Sequence, residues 1–287
     1  MARRRFSPPP QRKAGPPTRH LVLEPTDVPE CWIGFVGDVS PLPGREARYD
    51  AAVHDFFEDC CVVVGNFEGV LTEQRWFPWL HKHTPRIFES LYRLKPPAHW
   101  VLSVANNHAT DFGEPDLHAT VNRFEREGLR WLGTQARPHL TLSDGLTLTA
   151  WTWWVNGPTE AVLQYDPGTP AEPGLHIALP HWGYEHERAP RADQRDRVPR
   201  GYDLIVGHHS HLPQPLEMLE DKRLVAWSLG NFLTAKRLPV LGEGALLKVG
   251  VASGKGGLPR VVQAHFQEVV LDRSDARYCV LRPRSTS

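Results

Sequence analysis

Short apolar segments alternate with polar, helix-compatible segments through the first half of the chain, and this alternation restricts the fold more than any other feature. Residues 31–37, 61–66 and 99–104 read CWIGFVG, CVVVGN and HWVLSV. The segments 49–59 and 114–127 have the composition of amphipathic helices. Short buried strands that alternate with helices are typical of an α/β domain, so we expect an α/β fold.

The second half of the chain contains mostly strand-like segments, with few helical segments between them. Examples are LTLTAWTWWV from residue 146 and RVVQAHFQEVV from residue 260. Clusters of proline and glycine at 158–173 and 254–259 indicate loops, and no clean linker separates two domains. We expect the second half to form a second sheet packed on the first, within a single domain over residues 31–280.

The two ends of the chain differ from this domain in composition. The first 20 residues are basic and rich in proline, without the apolar stretch that a secretory signal requires. The sequence predicts a disordered arm over residues 1–30, which could also tether the chain weakly to an anionic partner, and a short tail at 281–287. Because no apolar run approaches the ~20 residues of a membrane-spanning helix, we expect no membrane span and a cytoplasmic protein.

The charge balance and the cysteines exclude several classes of protein. The chain has 33 basic and 33 acidic side chains, so it has no global field that would hold nucleic acid or an anionic membrane. An anionic ligand must therefore be bound by local groups. The four cysteines lack CxxC spacing. We therefore expect a compartment in which thiols stay reduced, or one whose redox state does not matter to the fold. The sequence leaves the oligomeric state open.

Acids, amides and histidines stand where five predicted strands end. In open α/β sheets, ligands bind beyond the carboxyl ends of the strands. Carboxylate and amide oxygens with imidazoles, and without thiolate, suit divalent Mn, Fe, Zn, Ni or Co and favour a catalytic over a structural site. The residues concerned are Asp38, Asn66, Glu68, Asn106, Asn107, His108, Asp111, His181, His208, His209 and His211.

Each of these signals has a simpler explanation when it is taken alone. Asp38 and Glu68 are typical of turns after a strand, and His181 is typical of a packed histidine. Asp111 fits the N-cap of a following helix as well as it fits a partner for a catalytic histidine. The GHHSH segment is stronger, because three imidazoles within four residues seldom arise from packing. The combination predicts a metal site more strongly than any one residue does.

Two further signals are weaker. Asn231, in the segment SLGNF, could line the same cleft or serve a turn. His81, Lys82, His83 and Arg86 form a basic cluster that could attract an anionic substrate. A solvated loop is the simpler explanation of that cluster.

Six motifs carry a family resemblance when they are taken in their order along the chain. They are GDV, NFEG, SVANNHATDFG, HWGYEHERAP, GHHSHLPQPLE and WSLGNF. The series resembles that of the CapA family of capsule and poly-gamma-glutamate biosynthesis proteins, within the calcineurin-like metallophosphoesterase superfamily. The resemblance covers residues 33–232. It implies a sandwich of two mixed β-sheets flanked by helices, with a two-metal centre at the strand ends.

The resemblance also implies roles for individual residues. His108 would face the substrate, and Asp111 is the residue that would orient it. Ser40 stands where the superfamily has a histidine, so one metal ion is short of a ligand. Asn66, Asn231 and His208 would support the ligands or contact substrate. The implied ligands of two divalent ions are Asp38, Glu68, Asn107, His181, His209 and His211.

These features predict a metal-dependent hydrolase. The first hypothesis is a phosphoesterase that uses a water activated by two metal ions, with a small phosphoester or an anionic polymer as substrate. The second is a ligase, transferase or hydrolase of gamma-glutamyl amide bonds at the same centre. The third is a non-catalytic component of polymer assembly or export that retains the metal site.

Overall fold

The computed structural model describes residues 18–75, 77, 79–165 and 168–285. Its helices are α1 (Ala51–Phe57), α2 (Arg86–Tyr92), α3 (Glu114–Glu127) and α4 (Ala192–Arg195), with 3-10 helices at Pro97–His99, Pro239–Gly242 and Lys255–Gly257. Its strands are β1 (Thr18–Val22), β2 (Cys31–Val39), β3 (Glu46–Tyr49), β4 (Cys60–Phe67), β5 (Val70–Leu71), β6 (Lys82–His83), β7 (Trp100–Ser103), β8 (Arg130–Leu132), β9 (His139–Ser143), β10 (Leu146–Thr152), β11 (Leu175–His181), β12 (Leu204–Val206), β13 (Leu216–Met218), β14 (Leu224–Ala226), β15 (Asn231–Leu233), β16 (Glu243–Ser253), β17 (Pro259–Asp272) and β18 (Tyr278–Pro283).

The first sheet contains ten strands within the described ranges. Its order is β3-β18-β17-β16-β2-β4-β7-β8, with β1 beside β17 and β15 beside β2. The strands β2, β4, β7 and β8 are parallel neighbours. Because parallel strands end at the same edge of a sheet, Asp38 of β2 and Asn66 of β4 lie side by side there as Cα partners.

The second sheet has the order β13-β14-β12-β11-β10-β9. Its four central strands are parallel, and the edge strands β13 and β9 run antiparallel to their neighbours. The short strands β5 and β6 form a separate pair. The predicted fold class, an α/β sandwich of two mixed sheets flanked by helices, is confirmed.

An apolar core lies between the two sheets, and a second apolar core lies between the first sheet and its helices. The alternation of side chains along β2 illustrates both, since Ile33 and Phe35 pack toward the second sheet whereas Val36 packs toward the opposite face. Phe57 of α1 and Phe124 of α3 fill the helix-side core. Residues from both halves of the chain thereby hold the strand ends in place.

The sequence predicted that the second half of the chain would form the second sheet. This prediction is wrong for part of that half. β16, β17 and β18 join the first sheet, because β16 pairs antiparallel with β2. The apolar pattern of a segment predicts a strand, but it carries little information about which strand lies beside it. The first sheet is consequently larger than the sequence indicated.

Both predicted domain boundaries need correction. Thr18–Val22 forms β1 and pairs antiparallel with β17, so ordered structure begins before residue 31. Pairing with β17 gives these residues backbone hydrogen bonds. The composition of the arm does not predict this pairing. β18 continues to Pro283, which is beyond the predicted end of the domain at residue 280. Residues 1–17 of the predicted arm lie outside the described residues.

The cysteines also differ from the sequence-based prediction. Cys31 and Cys61 form a disulfide, with their Cα atoms 6.4 Å apart. They lie on the neighbouring parallel strands β2 and β4, and this sheet pairing brings them within the usual range for a disulfide. Spacing along the chain gave no sign of the pair. Cys60 and Cys279 are free and buried.

A close approach of two glycines fixes β2 next to the segment that begins β15. A Cβ atom at Gly37 would overlap the carbonyl oxygen of Gly230. That same carbonyl accepts a hydrogen bond of 2.8 Å from the backbone N–H of Asp38. Gly230 itself has a φ of 66°, a left-handed conformation that favours glycine. The backbone on both sides of Asp38 is therefore tightly restricted.

We expect Gly37→Ala to destabilise the fold by about 1–3 kcal/mol, the usual cost of overpacking a buried site. The free energy of unfolding from urea titrations measures this effect. Gly157→Ala is the matched control, because nothing lies within 4 Å of a Cβ atom at that position. Equal stability of the two variants would contradict the proposed close approach.

Candidate metal centre

The predicted site residues meet where strands of both sheets end. Asp38 lies near the end of β2, and Glu68 directly follows β4. The loop after β7 supplies residues 106–111, and β11 ends at His181. The loop after β12 supplies residues 208–211. The parallel arrangement of these strands directs the loops to one edge of the sandwich.

Asp38 is fully buried and surrounded by polar groups. Asn66 Nδ2 donates a hydrogen bond of 2.8 Å to Asp38 Oδ1. His208 Nδ1 lies 3.4 Å from Oδ1, and His211 Nδ1 lies 3.3 Å from Oδ2. Burial and the charge of Glu68 raise the pKa of Asp38, but the contacts with His208 and His211 outweigh them and hold that pKa below its ordinary value. Asp38 is therefore ionised at neutral pH.

Glu68 is the second fully buried carboxylate. Ser40 Oγ donates a hydrogen bond of 2.6 Å to Glu68 Oε2. Burial raises the pKa of Glu68, but the imidazoles of His211 and His81 lower it well below its ordinary value. Glu68 Oε1 has no hydrogen-bond partner within the described part of the chain, and His211 Nε2 lies 3.5 Å from it. A buried carboxylate oxygen of this kind costs free energy unless a cation or a donor binds it.

A second set of donor atoms is formed by an amide and two imidazoles. His181 Nε2 lies 2.8 Å from Asn107 Oδ1 and 3.0 Å from His209 Nδ1. Burial and the neighbouring His209 lower the pKa of His181 well below its ordinary value. Burial and the charge of His211 lower the pKa of His209 to about 4. Both rings are therefore neutral at pH 7, which is the form that binds metal ions.

The pKa of His211 shifts in the opposite direction. Burial lowers the pKa of His211, but Glu68 and Asp38 raise it above its ordinary value. Asn231 Oδ1 lies 3.1 Å from His211 Nδ1, and Lys236 Nζ lies 3.3 Å from Nε2. Asn231 therefore contacts a predicted ligand, whereas the sequence left a turn role equally open.

The loop after β12 is held in an uncommon conformation. His209 has a φ of 89° and His211 has a φ of 58°. The left-handed region costs a non-glycine residue about 1–3 kcal/mol, and such residues cluster at functional sites. The surrounding contacts therefore hold both rings at the site at the expense of backbone strain.

His108 is held by a carboxylate and lies beside the predicted ligands. Its Nδ1 lies 2.6 Å from Asp111 Oδ2, and the ring is buried. Asn156 Nδ2 lies 3.0 Å from the same Nδ1 and donates a hydrogen bond of 2.8 Å to Asp111 Oδ1. Because a carboxylate only accepts hydrogen bonds, Nδ1 carries the proton and Nε2 remains available. The alternative N-cap role of Asp111 is wrong, since Gly113 occupies the N-cap of α3.

The structure brings all the predicted site residues into one buried region and adds a residue that the sequence analysis missed. Asp38, Glu68 and His211 present donor atoms that lie within 4.8 Å of one another, and Glu68 forms a similar set with His81 and His108. The sequence explained His81 as part of a solvated basic loop. His81 and its neighbour His83 are instead buried, at 7% and 1% exposure. In the sequence, the presence of these two histidines between the NFEG and ANNH motifs was the only indication that they belong to the site.

None of the helices within the described ranges is long and apolar enough to cross a membrane.

Comparison with known proteins identifies relatives over most of the chain. The family model described as "Bacterial capsule synthesis protein PGA_cap" matches residues 35–144 and 160–236. The "PGA biosynthesis protein CapA" of Bacillus subtilis (strain 168) is 28% identical over 242 residues, which are 74% of this chain and 63% of that protein. The "Capsule biosynthesis protein CapA" of Bacillus anthracis is 24% identical over 256 residues, which are 75% of this chain and 61% of that protein.

The chain thus spans about three fifths of the length of each of these curated relatives. Among solved structures, the "Crystal structure of calcineurin-like phosphoesterase YfkN from Bacillus subtilis" matches with a TM-score of 0.43 and 12% identity. The match covers 88% of this chain and 91% of that one. A similarity at this level assigns neither a fold nor an activity.

We expect Mn²⁺ to raise the midpoint of thermal unfolding of the wild-type chain, because an ion that binds only the folded state stabilises it by about 2.7 kcal/mol at a hundred times its Kd. Asp38→Asn should lose most of this increase, since it removes a buried charge from the candidate centre. Differential scanning calorimetry with and without EDTA measures both effects. Asp221→Asn, which removes an exposed carboxylate that pairs with Arg223, is the control and should keep the increase. A wild-type chain that is indifferent to Mn²⁺ would contradict the assignment.

Proposed function

The chain belongs to the family of bacterial capsule synthesis proteins of the PGA_cap type, and from this premise we propose that it is a metal-dependent hydrolase of the phosphoesterase class. The expected resemblance to the CapA family is confirmed by the family match and by the curated relatives. The observation that carries the proposed activity is the convergence of two ionised, buried carboxylates with an amide oxygen and neutral imidazoles at one edge of the sandwich.

The residues present fit divalent cations. The residues that would hold them are the ligands that the family resemblance implies, namely Asp38, Glu68, Asn107, His181, His209 and His211. Glu68 Oε1, which has no hydrogen-bond partner among the described residues, is the atom that most strongly favours a bound cation. When bound, two such ions lower the pKa of a water molecule and neutralise charge on a phosphoryl oxygen.

His108 would move the proton that the reaction requires. Asp111 fixes the ring through the 2.6 Å contact at Nδ1, so Nε2 is the nitrogen that can protonate a leaving oxygen or donate to a phosphoryl group. The backbone N–H of His81 donates a hydrogen bond of 2.7 Å to Asp111 Oδ2, which fixes the carboxylate in turn. His108 is thus the proposed catalytic residue, and Asp111 is its positioning residue.

A second candidate function follows from the names of the relatives. The Bacillus subtilis relative is described as a PGA biosynthesis protein, which favours chemistry on the amide bonds of a gamma-glutamyl polymer at the same centre. A non-catalytic part in polymer assembly is the third candidate. Assays of purified protein with added Mn²⁺, against phosphomonoesters, phosphodiesters and gamma-glutamyl oligomers, distinguish the three. Turnover of phosphoesters alone supports the first candidate, turnover of oligomers alone supports the second, and metal binding without turnover supports the third.

We expect His108→Ala to lower kcat for phosphoester hydrolysis by about 10²–10⁴-fold, the usual contribution of a positioned acid or base. Steady-state kinetics with a chromogenic phosphodiester measure the loss. His118→Ala, which removes an exposed histidine from α3, is the matched control and should retain wild-type kcat. Unchanged kcat in His108→Ala would show that the proton is carried by another group.

A further inference from the structure

His81 is a buried imidazole to which neither the motif series nor the proposed mechanism assigns a ligand role. Its side chain is nine-tenths buried or more, and its Nδ1 has no hydrogen-bond partner among the described residues. That nitrogen lies 3.4 Å from Glu68 Oε2, which already accepts the 2.6 Å hydrogen bond from Ser40. A buried nitrogen of this kind is unfavourable unless a partner such as an ion binds it, and an ion between it and the carboxylate would satisfy both groups.

The position of His81 is fixed by contacts on three sides. Its ring stacks on His108, with centroids 3.6 Å apart and planes inclined by 9°. Its backbone N–H donates to Asp111, and its backbone carbonyl accepts a hydrogen bond of 3.1 Å from Val70. Gly69 has a φ of 117°, and a Cβ atom there would overlap the His81 carbonyl. The loop therefore reaches the carboxylate only because glycine follows Glu68.

Glu68 consequently faces a histidine through each of its two carboxylate oxygens. Oε1 lies 3.5 Å from His211 Nε2, and Oε2 lies 3.4 Å from His81 Nδ1. The two sets of donor atoms, one with Asp38 and His211 and one with His81 and His108, share this carboxylate. A carboxylate can bind two cations, one through each oxygen.

We propose that His81 is a ligand of the metal centre and gives a cation bound by Glu68 the imidazole that Ser40 does not supply. This inference rests on the proposed function as a metal-dependent protein. Imidazole suits the divalent Mn, Fe, Zn, Ni and Co ions that the other donors indicate. Ser40 holds Glu68 in place through its hydroxyl group, while His81 approaches the same oxygen from the loop between β5 and β6.

Isothermal titration of the full chain with Mn²⁺ tests the proposal. His81→Ala should weaken the binding of one ion by about tenfold or more, since even the loss of a residue that only supports a ligand costs 10–100-fold. His265→Ala is the control, because it removes an imidazole that packs against His20 and Trp32 and not against the predicted ligands. That variant should bind Mn²⁺ as the wild type does.

Pulsed EPR of the Mn²⁺-loaded proteins gives a direct readout that a merely structural role would not change. The wild type and His265→Ala should share the same ¹⁴N couplings, and His81→Ala should lose one coupled nitrogen. Circular dichroism confirms that each variant is folded, and His81→Asn replaces His81→Ala if the latter does not fold. A folded variant at position 81 with wild-type affinity and unchanged couplings would overturn the proposal.

The failure of this inference is distinguishable from failure of the proposed function. A wild-type chain that binds no Mn²⁺ contradicts both. A wild-type chain that binds Mn²⁺ as tightly as folded His81→Ala, with the same ¹⁴N couplings, contradicts the role of His81 alone.

Discussion

Two ionised carboxylates, Asp38 and Glu68, are buried together between the ends of two sheets, and the rest of the site is organised around their charge. Like charges in a buried region destabilise the folded state unless positive groups or hydrogen-bond donors compensate them. His211 contacts both carboxylates, and although burial lowers its pKa, their charge raises that pKa above its ordinary value. Asn66 and Ser40 each donate one hydrogen bond to them. Divalent cations would compensate the same charge more completely, which links the stability of the site to its proposed chemistry.

The fold brings these groups together through the direction of its strands. β2, β4 and β7 run parallel in the first sheet, and β10, β11 and β12 run parallel in the second. Their ends therefore deliver carboxylates from one sheet and imidazoles from the other to one edge. The close approach of Gly37 and Gly230 fixes the first sheet against the loop that precedes Asn231. The distance between the carboxylates and the imidazoles thus depends on backbone packing directly beside Asp38.

Much of this centre could be predicted from the sequence, because a polar residue that directly follows an apolar segment is expected to lie at the end of a strand, where ligands bind. Asp38, His181 and the GHHSH segment were found in this way. His81 was missed, since it lies in a loop whose path is set by the φ of Gly69 and by contacts with residues distant in sequence. The pairing of β16 with β2 and the Cys31–Cys61 disulfide were missed for the same reason, as both depend on which strands become neighbours.

The central claim is that Asp38, Glu68 and the surrounding histidines hold divalent cations. Anomalous diffraction from crystals of the full chain grown with Mn²⁺, recorded at the manganese absorption edge, tests it most directly. The account predicts anomalous peaks in contact with Glu68, one of them also in contact with Asp38 and His211. A well-ordered Glu68 without any anomalous peak beside it, in crystals that contain Mn²⁺, would contradict the account.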